Sequence, residues 1–148
     1  MTEAWVASTS RSGATNDCQA EATAALRLGI EQFNQGLFFE QHETLEDAWI
    51  EESGRVRYLY QGILQVGVGF YHLQRGNYRG ATALLRRGIG YLAPFAPACL
   101  EVDVARLIEE AGRALAELER LGPSGLGEFD PALIPHVHLV QMREESGG

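Results

Sequence analysis

Lysine is absent from the chain: its twelve basic residues are all arginines, set against twenty acidic ones for a net charge of −8. The arginines form no stripe, and such a balance repels a phosphate backbone, so nucleic acid is disfavoured as a partner. No run of eighteen or more apolar residues occurs, which argues against a membrane span. The opening MTEAWVASTSRSG has neither the basic nor the apolar stretch of a signal peptide, and a cytoplasmic location is expected. Cysteine is scarce. Cys18 and Cys99 show no Cys-x-x-Cys spacing, which excludes a zinc knuckle or a redox motif and fits two reduced thiols, although nothing forbids a bond between them. Gly-x-Ser-x-Gly, Walker and dinucleotide fingerprints are also missing, which removes the usual routes to acyl, phosphoryl and hydride transfer.

What the chain does have is helical periodicity. At 148 residues with 45% hydrophobic content it suits one globular domain with a real core. Residues 1–16 read as a flexible arm, residues 17–122 as a helical bundle, and residues 123–148, with three prolines and no helical period, as an extended segment ending in disorder. The expected fold is all-α: a five-helix bundle of stacked helical hairpins. Helix one is capped by Asn16 or Asp17, buries Leu26, Ile30 and Phe33, and stops at Gly36. Helix two carries His42 and ends near Ser53-Gly54. Helix three, from about Arg57 to Leu73, is apolar on nearly every side and is expected at the centre. Helix four spans Tyr78 to Leu92, and helix five runs from about Asp103 to Leu121, where Gly122-Pro123 ends it. Phe33-x-x-Gly36-x-Phe38 echoes Leu73-x-x-Gly76-x-Tyr78 at an offset of about forty residues. That is longer than the roughly thirty-four of a tetratricopeptide unit, so two stacked hairpins are expected and not a solenoid.

The candidate site lies in FNQGLFFEQHETLEDAW. On a helix, Phe38, Leu45 and Trp49 gather on one side and Glu40, Thr44, Asp47 and Glu51 on the other. His42 and Glu46, at i and i+4, fall on the apolar side with Glu43 at its border, so both are expected to be mostly buried. A buried carboxylate must be paired or bound to a cation. In one reading, the two are a hydrogen-bonded pair that fixes helix packing. In the other they ligate a divalent metal ion, with His72 as third ligand and Glu43 as base. Gln61, Gln65 and His72 project as one polar stripe from helix three. They are expected to face His42 and Glu46 across a cleft, with Gly62 and Gly69 letting the backbones approach. His136 and His138 are read as surface residues.

This stretch, together with QGILQVGVGFYHLQRGNYRGA, closely resembles the DUF309 family of small bacterial and archaeal proteins. Its mark is a His-x-x-x-Glu-x-x-Trp/Tyr motif, here His42, Glu46 and Trp49, and the resemblance covers roughly residues 25 to 95. It implies an all-helical fold and a motif suspected of binding metal, and no established reaction. Zinc proteases need His-Glu-x-x-His, which His42-Glu43 does not complete. Di-iron bundles need Glu-x-x-His, but Phe39 and Gly69 stand where the glutamates should be. Whether the protein is an enzyme stays open. The alternative is a non-enzymatic helical-hairpin module whose cleft binds a peptide, a small ligand or a second copy as a homodimer, a reading that accounts for the aromatic residues Phe38, Phe39, Trp49, Tyr58, Tyr60, Phe70 and Tyr71 without catalysis. Binding ranks above catalysis.

Overall fold

The structure, a computed structural model, describes residues 18–141. Helix α1 (Ala24–Asn34), α2 (Phe38–Glu51), α3 (Arg57–Gln74), α4 (Tyr78–Leu92) and α5 (Val104–Leu121) follow one another, with a two-stranded hairpin, β1 (Ala98–Cys99) and β2 (Val102–Asp103), between the last two. The expected arm and disordered end fall outside the described residues, as do Asn16 and Asp17. The cap of α1 is instead Thr23, whose hydroxyl accepts from the Leu26 amide. No helix among the described residues is long and apolar enough to cross a membrane.

The forty-residue echo is a repeated piece of backbone. Gly36 and Gly76 both take left-handed φ, at 78° and 76°, where a Cβ would be strained. In each turn the glycine amide bonds the carbonyl three residues back, Gly36 to Phe33 at 2.9 Å and Gly76 to Leu73 at 3.0 Å. The next amide reaches back five residues, Leu37 to Gln32 at 2.9 Å and Asn77 to His72 at 2.8 Å. These bonds satisfy the carbonyls that a helix end leaves open, and they fold α1 onto α2 and α3 onto α4 as two like hairpins. Helix α3 packs against α2 on one side and α4 on the other, and α5 covers α4. Residues 59–70 are buried apart from half-buried Gln61 and Val68, so the segment expected at the centre is there. Phe33, Phe38 and Phe70 stack edge and tilt at 5.2 and 5.9 Å, joining α1, α2 and α3 through one aromatic seam.

The glycines of α3 divide differently from expectation. Gly62 and Gly69 meet Leu92 and Leu85 of α4, not α2. Gly67 faces α2 instead, and a Cβ there would collide with the Gln41 amide.

The Cys18–Cys99 pair and the stretch after α5 each depart in part from expectation. Cys18 and Cys99 form a disulfide across 81 residues of sequence, which overturns the expectation of two reduced thiols. The bond is one of several ties between the segment before α1 and the hairpin loop. The Leu100 amide bonds the Cys18 carbonyl at 2.8 Å, and Glu101 accepts from Arg27 at 2.6 Å and from the Ala22 amide at 3.2 Å. Beyond α5, residues Pro123–Glu128 and Pro131–Leu133 are 3-10 turns joined by extended Phe129 and Asp130, and from Ile134 onward the chain is extended. That last stretch is a strap on the bundle. Asn34 clamps Val137 from both sides, accepting from its amide at 2.7 Å and donating to its carbonyl at 3.0 Å, while the Asp103 amide takes the His138 carbonyl at 2.8 Å.

Candidate functional site

Three turns of α2 set the site. Phe38, Gln41 and Leu45 point into the core, and Gln41, wholly buried, donates to the Leu64 carbonyl of α3 at 3.1 Å. At about 100° per residue the buried face is therefore centred between Gln41 and Leu45, with Ala48 and Trp49 at its edges, and it leaves His42 and Glu46 roughly 70° and 110° off centre. They are mutually close, with His42 Nε2 3.1 Å from Glu46 Oε1, but their side chains are 37% and 47% exposed. The expectation of a mostly buried pair is thus corrected: counting Gln41 as polar turned the apolar face too far toward them. Glu43 is exposed.

An ion pair this open to water is worth little. Glu46→Ala is accordingly expected to change stability by less than about 0.5 kcal/mol, because water replaces the lost partner. A thermal melt showing a loss of several degrees would contradict that.

His42 and His72 nevertheless share a feature. They line one groove of about 190 Å³ between α2 and α3, whose other walls are Phe38, Phe39, Val68 and Tyr71. Its surface is almost entirely apolar, and Phe39 at its rim is 51% exposed. The Phe39 ring lies 6.0 Å from Tyr71 and 6.3 Å from His42, and Arg75 caps Tyr71 with its guanidinium 5.6 Å from the ring centre. His72 Nδ1 is 3.2 Å from Nδ2 of the Asn77 side chain at the turn. The stripe expected on α3 thus reaches this groove at its His72 end.

The rest of the stripe does not join His42 and Glu46 in a hydrogen-bonded network. Gln65 is buried and its Oε1 has no partner among the described residues, and Gln61 is half-buried. Trp49 holds the Arg57 guanidinium over its ring at 4.3 Å, and its own buried Nε1 also has no partner among the described residues. Among the described residues no three His, Cys, Asp or Glu side chains converge on one point. A zinc centre needs three or four such ligands. Gln41 and Val68 were the members missed in sequence. Gln41 looks polar and is core, and Val68 looks like core and is groove wall.

The fold and groove together define a small protein of tandem helical hairpins with an aromatic, histidine-rimmed cleft. Residues 26–84, which run from α1 into α4 and contain the whole groove, match the family described as "Domain of unknown function (DUF309)". Over 75 residues the chain is 37% identical to "Uncharacterized protein YpuF" of Bacillus subtilis (strain 168), covering 49% of this chain and 43% of that protein. The chain thus spans less than half the length of that relative.

Proposed function

We propose that this protein is a non-enzymatic interaction module, and that the α2–α3 groove receives an apolar anchor from a basic, amphipathic helical segment of a partner protein. The observation that carries the reading is the groove itself: an open apolar slot with a half-exposed phenylalanine on its rim, shaped to take an apolar side chain. Charge names the occupant. Helix α2 carries Glu40, Glu43, Glu46, Asp47 and Glu51 and no lysine or arginine, so a cationic segment would lie along it favourably. Arg75 over Tyr71 already makes, within the chain, the contact that an arriving cation would make with the same ring. Helical segments dock in grooves by apolar anchors one turn apart, with charge along the edges.

The test is a titration with a synthetic amphipathic helix that has leucine and phenylalanine on one face and lysine on the other. It should bind at micromolar strength, and Phe39→Ser should weaken it by about tenfold, the loss of one well-packed anchor contact. Two control peptides, one with the lysines replaced by glutamate and one with the anchors replaced by alanine, should each bind far less. Equal binding of the alanine peptide would reduce the effect to general attraction between opposite charges and sink the reading. Dimerisation of the protein through the same face, lost in Phe39→Ser, would replace the partner by a second copy.

A further inference from the structure

On the opposite side of the sequence from the groove, α5 and the strap enclose a second pocket, of about 270 Å³. From α5 it takes Arg106, Glu110 and Arg113, one turn apart on one face, and from the strap it takes His136 and His138, which share a side of an extended chain. We infer that this pocket binds a small oxyanion-bearing molecule, a phosphate ester or a carboxylate. Basic groups are rare in this acidic protein, with twelve arginines and four histidines in 148 residues, yet two of each converge here.

Their donors are only partly used. Arg106 gives Nε to Glu110 Oε2 at 3.0 Å, and Arg113 gives one Nη to Glu109 at 3.1 Å. Among the described residues no partner takes the remaining guanidinium N–H groups, and each imidazole keeps at least one ring N–H in either protonation state. The two carboxylates offset the two arginines in charge, but each occupies only one edge of its guanidinium, leaving the forked pair of N–H groups that suits an oxyanion. The wall that carries the histidines is held in place. Asn34 fixes Val137 between them, and the Asp103 amide holds the His138 carbonyl, so the imidazoles hang from anchored backbone. The pocket is also more polar than apolar in its lining, the reverse of the α2–α3 groove.

Thermal melts and calorimetric titrations with inorganic phosphate and with succinate, in an amine buffer at constant chloride, test this. At least one of the two should bind saturably, at or below about 1 mM, and raise the melting temperature by mass action. Phosphate alone assigns a phosphate ester; succinate alone assigns a carboxylate. Arg113→Gln should weaken the binding about tenfold, and Glu110→Gln should tighten it severalfold, since the neutral amide no longer repels the anion. Both side chains reach water and neither is in the core, so both variants are expected to fold. Failure of both anions to bind saturably, or binding unchanged in both variants, would overturn the assignment and leave an adventitious ion only.

Discussion

Reducing the Cys18–Cys99 disulfide is expected to lower the melting temperature by roughly 6 to 15 °C. The bond closes a loop across 81 residues, and removing such a restraint on the unfolded chain costs on the order of 2–4 kcal/mol. More depends on it than chain entropy. Cys99 and Leu100 are buried, and the tie brings Ala22 and Arg27 to Glu101, so without it the entry to α1 and the hairpin loop lose their shared anchor. Melts of the protein with and without a thiol reductant, and of Cys18→Ser, check the expectation. A shift under 2 °C in both would mean that the remaining contacts hold this corner alone.

The second large effect is expected at Gly88. Here α3 and α4 touch backbone to backbone: a Cβ would sit 2.9 Å from the Val66 amide nitrogen and 3.0 Å from the Gly62 carbonyl. Main chain cannot turn aside as a side chain can, so Gly88→Ala must push the central helices apart, at about 1–3 kcal/mol. Two residues along the same helix, a Cβ at Gly90 would meet nothing within 4 Å among the described residues. There the same substitution should stabilise by up to about 1 kcal/mol, because alanine favours the helix. The pair makes a matched comparison in one denaturation series. Equal effects of the two alanines would refute the close approach of α3 and α4.

The five helices were legible because their signals are local: a 3.6-residue apolar period, a glycine at each hairpin turn, and Gly122-Pro123 at the end of α5. Helix α4 has the expected bounds, and Asp103 caps α5, its carboxylate accepting from the Arg106 amide. The long-range features were not legible. Nothing in the spacing of Cys18 and Cys99 says that the hairpin brings them together. Val102 and Leu139 form a bridge between segments that no pattern relates. Gly88 and Gly90 look alike until α3 is placed beside them. In the site, proximity of His42 and Glu46 followed from i,i+4 geometry. Their exposure did not, since it depends on Gln41 being buried, where the Leu64 carbonyl of the neighbouring helix accepts from its side-chain amide. His42 and His72 meet in one groove because two hairpins stack; neither helix alone encodes it.

The central claim is that the α2–α3 groove is a docking surface for a basic amphipathic helix. Amide and aromatic NMR spectra of the isotope-labelled protein, recorded while the lysine-bearing peptide is added, test it most directly. The account predicts that signals of Phe39, His42, Val68, Tyr71 and His72 move together and saturate, while those around Arg106 and His138 stay in place. Shifts spread evenly over the acidic surface, or confined to residues outside α2 and α3, would contradict it.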